Sequence, residues 1–176
     1  MTGRLAAAGL TLRSLLWTIL LPGVQAGYLP WRFFGLREAR PALSNPADLL
    51  GLLAMTAGAL SLGACILEFA RSGRGTLSPV DPPRQLVVQG LYRFVRNPMY
   101  LAVITILIGE CLVVRGRPML EFTAVWAVVV NLFVMGYEEP TLRREFGESY
   151  RRYTEQVGRW IPSLSPAYRG DADSAS

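Results

Sequence analysis

Leu49 to Leu67 (LLGLLAMTAGALSLGACIL) is a run of 19 residues without a charge, about the helix length needed to cross ~30 Å of hydrocarbon. No other feature restricts the fold as strongly, because a helix that is apolar on every side must be surrounded by protein or by lipid. Pro98 to Val114 is a second run, broken only by Glu110, and Phe122 to Tyr137 is a third, holding one Asn131. Leu15 to Leu29 is weaker, with Pro22 and Gln25 inside it. In a chain of 176 residues, three or four such runs leave too little polar sequence to cover them as a soluble core. The expected fold is therefore all-α: an integral membrane helical bundle of about four transmembrane helices. The small residues of the run 49–67, among them Ala54, Gly58, Ala59, Gly63 and Ala64, suit close helix contacts inside a bilayer.

Charge gives the orientation. All 18 basic residues are Arg, since the chain has neither Lys nor His. With four spans, thirteen of those arginines fall on the side that holds the N-terminal segment, the loop 71–97 and the tail. Five (Arg32, Arg37, Arg40, Arg115 and Arg117) fall on the other. The positive-inside rule then places both termini and the loop 71–97 in the cytoplasm, with Trp31, Phe33 and Phe34 as an aromatic belt at the outer face. A signal peptide ending at Val24-Gln25-Ala26 is the competing reading of the N-terminus; it leaves the orientation after residue 47 unchanged.

The missing residue types exclude chemistry. Without His there is no imidazole base, and without Lys no Schiff base or P-loop lysine. Two Cys and no His make no structural zinc site, so no metal is expected. Cys65 and Cys111 lie at opposite ends of their spans, beyond disulfide reach.

The connection Arg115-Gly116-Arg117-Pro118 is short enough to force an antiparallel hairpin between the third and fourth spans. The two helices have about 17 and 19 residues and so cover ~26–29 Å each. Leu91–Tyr100 and Tyr137–Pro140 therefore reach the same cytoplasmic depth. Asn97-Pro98 reads as a helix opening, with Asn as N-cap and Pro at the first helical position. Its free N–H groups and positive dipole end suit an anion, which Arg93 and Arg96 are placed to share. Glu138 and Glu139 suit an amine, a ribose diol or a cationic centre. The plainer alternative is that these four charges simply pair with one another at the interface.

After Pro140, the residues Leu142, Phe146, Tyr150, Tyr153 and Val157 recur at helical spacing. This predicts a C-terminal interfacial amphipathic helix on the inner leaflet, closed by an anchor at Arg159-Trp160-Ile161-Pro162. Residues 1–162 read as a single membrane-embedded domain, and 163–176 as a disordered tail.

GLYRFVRNPMY, followed some 40 residues later by YEEPTLRREFGESYRRYTEQVGRWIP, resembles the isoprenylcysteine carboxyl methyltransferase and phospholipid methyltransferase superfamily of integral membrane enzymes. The resemblance covers roughly residues 71–162. It implies methyl transfer from S-adenosylmethionine at the cytoplasmic membrane face to a lipidic or small hydrophobic acceptor that enters from the bilayer. It also implies cofactor contacts at Arg96, Asn97, Pro98, Tyr100, Glu138 and Glu139. Gly73-Arg74-Gly75 is a weak match to a further Gly-x-Gly element. Many isoprenylcysteine-type members carry His where this chain has Asn97, and Asn takes no proton at neutral pH. Catalysis then rests on positioning and on excluding water.

On this reading Arg93, Arg96 and the helix opening hold the methionine carboxylate, and Tyr92 or Tyr100 contacts the adenine or the sulfur. Glu138 and Glu139 hold the amino group or ribose. The expected catalytic residues are Asn97, Tyr100 and Glu139. Partners are membrane lipids and the acceptor, with no nucleic acid. An NADPH-dependent membrane reductase of the sterol-reductase type and a non-enzymatic membrane scaffold or transport component are the alternatives. Glu110 is expected to snorkel or to pair with Arg115 or Arg117, Glu68 to pair with Arg71 as a minor candidate, and Asn131 to cross-link helices.

Overall fold

The computed structural model describes residues 20–72, 86 and 88–166. Most of the first apolar stretch, the Gly73-Arg74-Gly75 element and residues 167–176 lie outside them. The described residues are helical, with no strand among them. A π-helical turn, Val24–Tyr28, leads into α1 (Leu29–Phe33). Next come α2 (Pro46–Ser72), a 3-10 turn (Gly90–Arg93), α3 (Pro98–Val114) and α4 (Arg117–Phe133). A second π-helical turn, Val134–Glu138, opens into α5 (Glu139–Gln156).

Local chemistry sets these boundaries. Asn45 Oδ1 accepts the Ala47 N–H at 2.9 Å, an N-cap in front of Pro46, which opens α2. Both π turns are followed two residues later by a proline, Pro30 and Pro140. A proline inside a continuing helix lacks an N–H and crowds the carbonyl four residues back. One widened turn immediately before it relieves that crowding. At Gly147 the backbone of α5 leaves helical geometry (φ 48°, ψ −119°), so this helix is kinked rather than straight.

The chain divides into two compact units. Among the described residues, one comprises residues 20–63 with 99–134, the other those of 64–98 with 135–166. In the first, α2 and α3 approach at backbone contact. A Cβ on Gly109 would lie 2.5 Å from the Gly51 carbonyl oxygen, and one on Gly58 2.7 Å from that of Ala102. Close approach of this kind is how helices gain packing where the surrounding solvent is as apolar as they are. Val103, Leu107, Met119 and Trp126 form the buried cluster of α3 and α4. Cys111 Sγ lies 3.2 Å from Thr123 Oγ1, and both cysteines are free. Trp126 donates to Gln25 at 3.0 Å.

Polarity in this unit is inverted relative to a water-soluble fold. Asp48, Glu110 and Thr123 are buried, while Leu50, Leu53, Leu60, Val128 and Leu132 are more than half exposed. An outer surface of that kind calls for hydrocarbon. Among the described residues two helices are long and apolar enough to cross a membrane: Pro46–Glu68, and the helix that begins at Arg117. Pro98–Val114 is a shorter apolar helix of 17 residues.

Two expectations need correction here. Glu110 does not pair with Arg115 or Arg117: Arg115 binds Asp48, and Arg117 binds Glu121 one helical turn on. Glu110 instead lies within the unit with its Oε2 unpartnered. Phe34 leaves the aromatic belt to stack on Phe122, ring centroids 4.5 Å apart, while Trp31 and Phe33 remain exposed.

In the second unit the stripe on α5 is present, and it faces the protein's own chain. Tyr150, Tyr153 and Val157 are buried in a cluster with Leu142, Phe146, Leu86 and Val88. The outward face carries Arg143, Arg144, Arg151 and Arg152, of which Arg151 pairs with Glu148 and Glu155.

Candidate active site

The second unit gathers most of the sequence-predicted site residues. Glu139, the first residue of α5, is buried to 7% side-chain exposure and receives two guanidinium groups. Arg159 binds it in a fork, Nε to Oε1 at 2.7 Å and Nη2 to Oε2 at 2.8 Å. Arg96 donates from Nη1 to Oε1 at 2.8 Å. Fork geometry with two parallel donors is the strong form of an Arg–carboxylate contact. Two cations and one anion leave this cluster with one excess positive charge.

Backbone contacts fix the two arginines. Asn97 Nδ2 donates to the Arg159 carbonyl at 3.3 Å, and the Arg96 N–H donates to the Gly158 carbonyl at 2.9 Å. Further along, the Ser163 N–H donates to the Phe94 carbonyl at 2.9 Å. The segment 157–163 thus runs beside 94–96 and is held to it at both ends. Gly158 is required for the fold-back, because a Cβ there would sit 2.7 Å from the Ile161 carbonyl oxygen. Tyr153 donates its hydroxyl to the Tyr92 carbonyl at 2.7 Å, which ties the 3-10 turn to α5.

Arg159, which its neighbours Trp160 and Ile161 assign to a lipid anchor, instead belongs to the site. Its signal is the position two residues past Val157, the last residue of the α5 stripe. Spacing alone assigns Tyr150 only to the stripe. Burial raises its phenol above the ordinary value, the Glu139 charge adds to this, and Arg96 works against it. Of the other candidates, Pro98 is buried at the head of α3, Arg93 is exposed, and Glu138 is half-buried in the π turn. Tyr100 belongs to the other unit, where it packs against the Val103–Trp126 cluster.

Burial alone would raise the Glu139 carboxyl. The Arg159 hydrogen bond and the charges of Arg96, Arg159 and Arg143 outweigh it and leave the group below its ordinary value of 4.5. A group lowered by folding adds stability above its unfolded value and loses it as pH falls through the folded one. Melting of detergent-solubilised protein should therefore be insensitive to this group above about pH 5 and weaken below 4.5. Glu139→Gln should remove that part of the acid dependence.

Among the described residues no group of three or more His, Cys, Asp or Glu side chains is placed to hold a metal ion. The sequence pattern of the phospholipid methyltransferase family matches residues 50–149. The chain belongs to that family. An uncharacterized protein of Haemophilus influenzae is 33% identical over 63 residues, 36% of this chain and the whole of that relative. No solved structure matches. This phospholipid methyltransferase family member is accordingly a membrane methyltransferase, which leaves the reductase and scaffold readings without support. The family match takes in Arg96, Asn97, Pro98 and the Glu138-Glu139 pair, and stops short of Tyr150, Tyr153 and Arg159.

Proposed function

We propose that this protein transfers a methyl group from S-adenosylmethionine to a lipidic or small hydrophobic acceptor at the cytoplasmic face of the membrane. The observation that carries the reading is Arg96 Nε: a buried donor without a hydrogen-bond partner, beside a carboxylate already shared by two arginines. An unpaired buried donor in a cluster of net positive charge fits a carboxylate, such as that of the cofactor's methionine portion. When bound, the cofactor supplies a methyl already activated by the positive sulfur.

The roles of the protein's residues follow from that fit. Arg96 would orient the cofactor carboxylate through its free Nε, at the positive end of the helix that opens at Pro98. Glu139 holds Arg96 and Arg159 in place and is a positioning residue rather than a proton acceptor, since both its oxygens already accept guanidinium hydrogens. Glu138 and Tyr92 remain candidates for the amino group, ribose or adenine. With no His in the chain, transfer would depend on alignment and water exclusion. An acceptor proton would leave to water or to a carboxylate. The apolar exterior supports several membrane passes, and the arginine distribution supports cytoplasmic termini.

Isothermal titration with S-adenosylhomocysteine tests the site. Arg96→Gln should weaken binding by at least tenfold, about 1.4 kcal/mol, and unchanged affinity would remove Arg96 from it. Incubation with methyl-labelled cofactor and a total lipid extract, followed by mass spectrometry, should reveal a labelled lipid.

A further inference from the structure

The unit 64–98 with 135–166 holds two helix ends of opposite polarity. The head of α3 at Pro98 is a positive end, joined there by Arg96 and Arg159. The tail of α2, which ends at Ser72, is a negative end, and Glu68 stands in its last turns. A carboxylate close to a helix C-terminus is unfavourably placed unless a cation joins it.

The position of Glu68 is specific. Its Oε2 lies 3.2 Å from the point where a Cβ on Gly90 would be, and its Cδ lies 3.5 Å away. Gly90 has φ +54°, a conformation that favours glycine, and begins the 3-10 turn that carries Tyr92. The missing side chain at Gly90 therefore leaves room for this carboxylate against the turn. The turn is itself held by the Tyr153 hydroxyl. Among the described residues Glu68 makes no ion pair; the side chain of Arg71, with which the spacing would pair it, lies outside them. Glu139, in contrast, is filled by two guanidinium groups.

A ligand that carries both an anionic group and a cationic centre calls on one end of each kind. Resting on the cofactor reading above, we propose that Glu68 is the carboxylate that faces the sulfonium of S-adenosylmethionine, and that it discriminates the charged cofactor from its neutral-sulfur product. Holding the cation before transfer and losing that attraction once the sulfur is neutral also favours release of the product.

The test compares two ligands that differ in the charged methyl. Purified full-length protein in detergent is titrated with S-adenosylmethionine and with S-adenosylhomocysteine, as wild type and as Glu68→Gln. The substitution should weaken the first about tenfold and change the second less than about twofold. Glu68→Asp, which keeps the charge, should hold the ratio of affinities within about threefold of wild type. If Glu68→Gln does not fold, Glu68→Ala reads the same ratio in a helix-favouring residue. An unchanged ratio, whether both affinities stay or fall together, overturns the proposal and leaves Glu68 with a structural role such as the Arg71 pair. Wild-type protein that binds neither ligand overturns the cofactor reading itself, and this inference with it.

Discussion

Glu139→Gln is expected to be among the most damaging single changes in this protein. The carboxylate it removes is almost fully buried and neutralises both Arg96 and Arg159. The amide keeps the shape and loses the charge, so two guanidinium groups are left facing each other without an anion. Breaking a buried pair by removing one partner costs about 3–5 kcal/mol, chiefly because the remaining charge is uncompensated. Arg159 is partly exposed, which argues for the lower end, about 3 kcal/mol. Thermal melting in detergent should show this as a fall of several degrees, with S-adenosylhomocysteine binding lost in parallel. Arg159→Gln is the informative companion: it leaves one cation for one anion, so it should cost less stability than Glu139→Gln. If Glu139→Gln melts and binds as wild type does, the three-membered cluster has neither structural nor positioning value.

Gly109→Leu is the second. A Cβ at this position would lie 2.5 Å from the Gly51 carbonyl oxygen, 2.7 Å from Met55 Cγ and 2.9 Å from the Met55 nitrogen. Two of those three atoms belong to the backbone and cannot swing aside. Overpacking a well-fitted contact costs about 1–3 kcal/mol where side chains can adjust, and here α2 and α3 would have to separate. Gly109→Ala should therefore destabilise by at least about 2 kcal/mol, and Gly109→Leu should yield no monodisperse protein in detergent. Gly63 is the control, because nothing lies within 4 Å of its Cβ position. Gly63→Ala should be neutral or slightly stabilising, as expected for a glycine removed from a helix. Equal effects at the two positions would show that backbone approach does not hold these helices together.

The parts of the fold readable in advance are those governed by periodicity and length. The uncharged run 49–67 marks α2, and Asn97-Pro98 marks the opening of α3. The nearly equal helix lengths on either side of Arg115-Gly116 bring the arginine segment and the glutamate pair to one depth, where Arg96 meets Glu139. What escapes such reasoning depends on backbone turns without a period. Arg159 reaches Glu139 only after a kink at Gly147 and a fold-back at Gly158, and neither turn is encoded in the spacing of apolar residues. Competition between partners is equally hard to read. Glu110 stands five residues from Arg115, yet Asp48, 67 positions away, takes that arginine. Likewise the stripe on α5 is visible as a stripe, but not the fact that Leu86 and Val88 help to cover it.

The clamp of segment 157–163 on 94–96 has a consequence for the order of assembly. Asn97 waits 62 residues for the carbonyl of Arg159, and Phe94 waits 69 for Ser163. During synthesis α2, α3 and α4 are all made before either partner exists. The membrane helices therefore have time to insert and pack while Glu139 still lacks Arg159, and the cluster closes last, as the chain passes residue 163. A released chain truncated after Val157 would keep α2, α3 and α4 but lack Arg159, and so would be unable to complete its charged site.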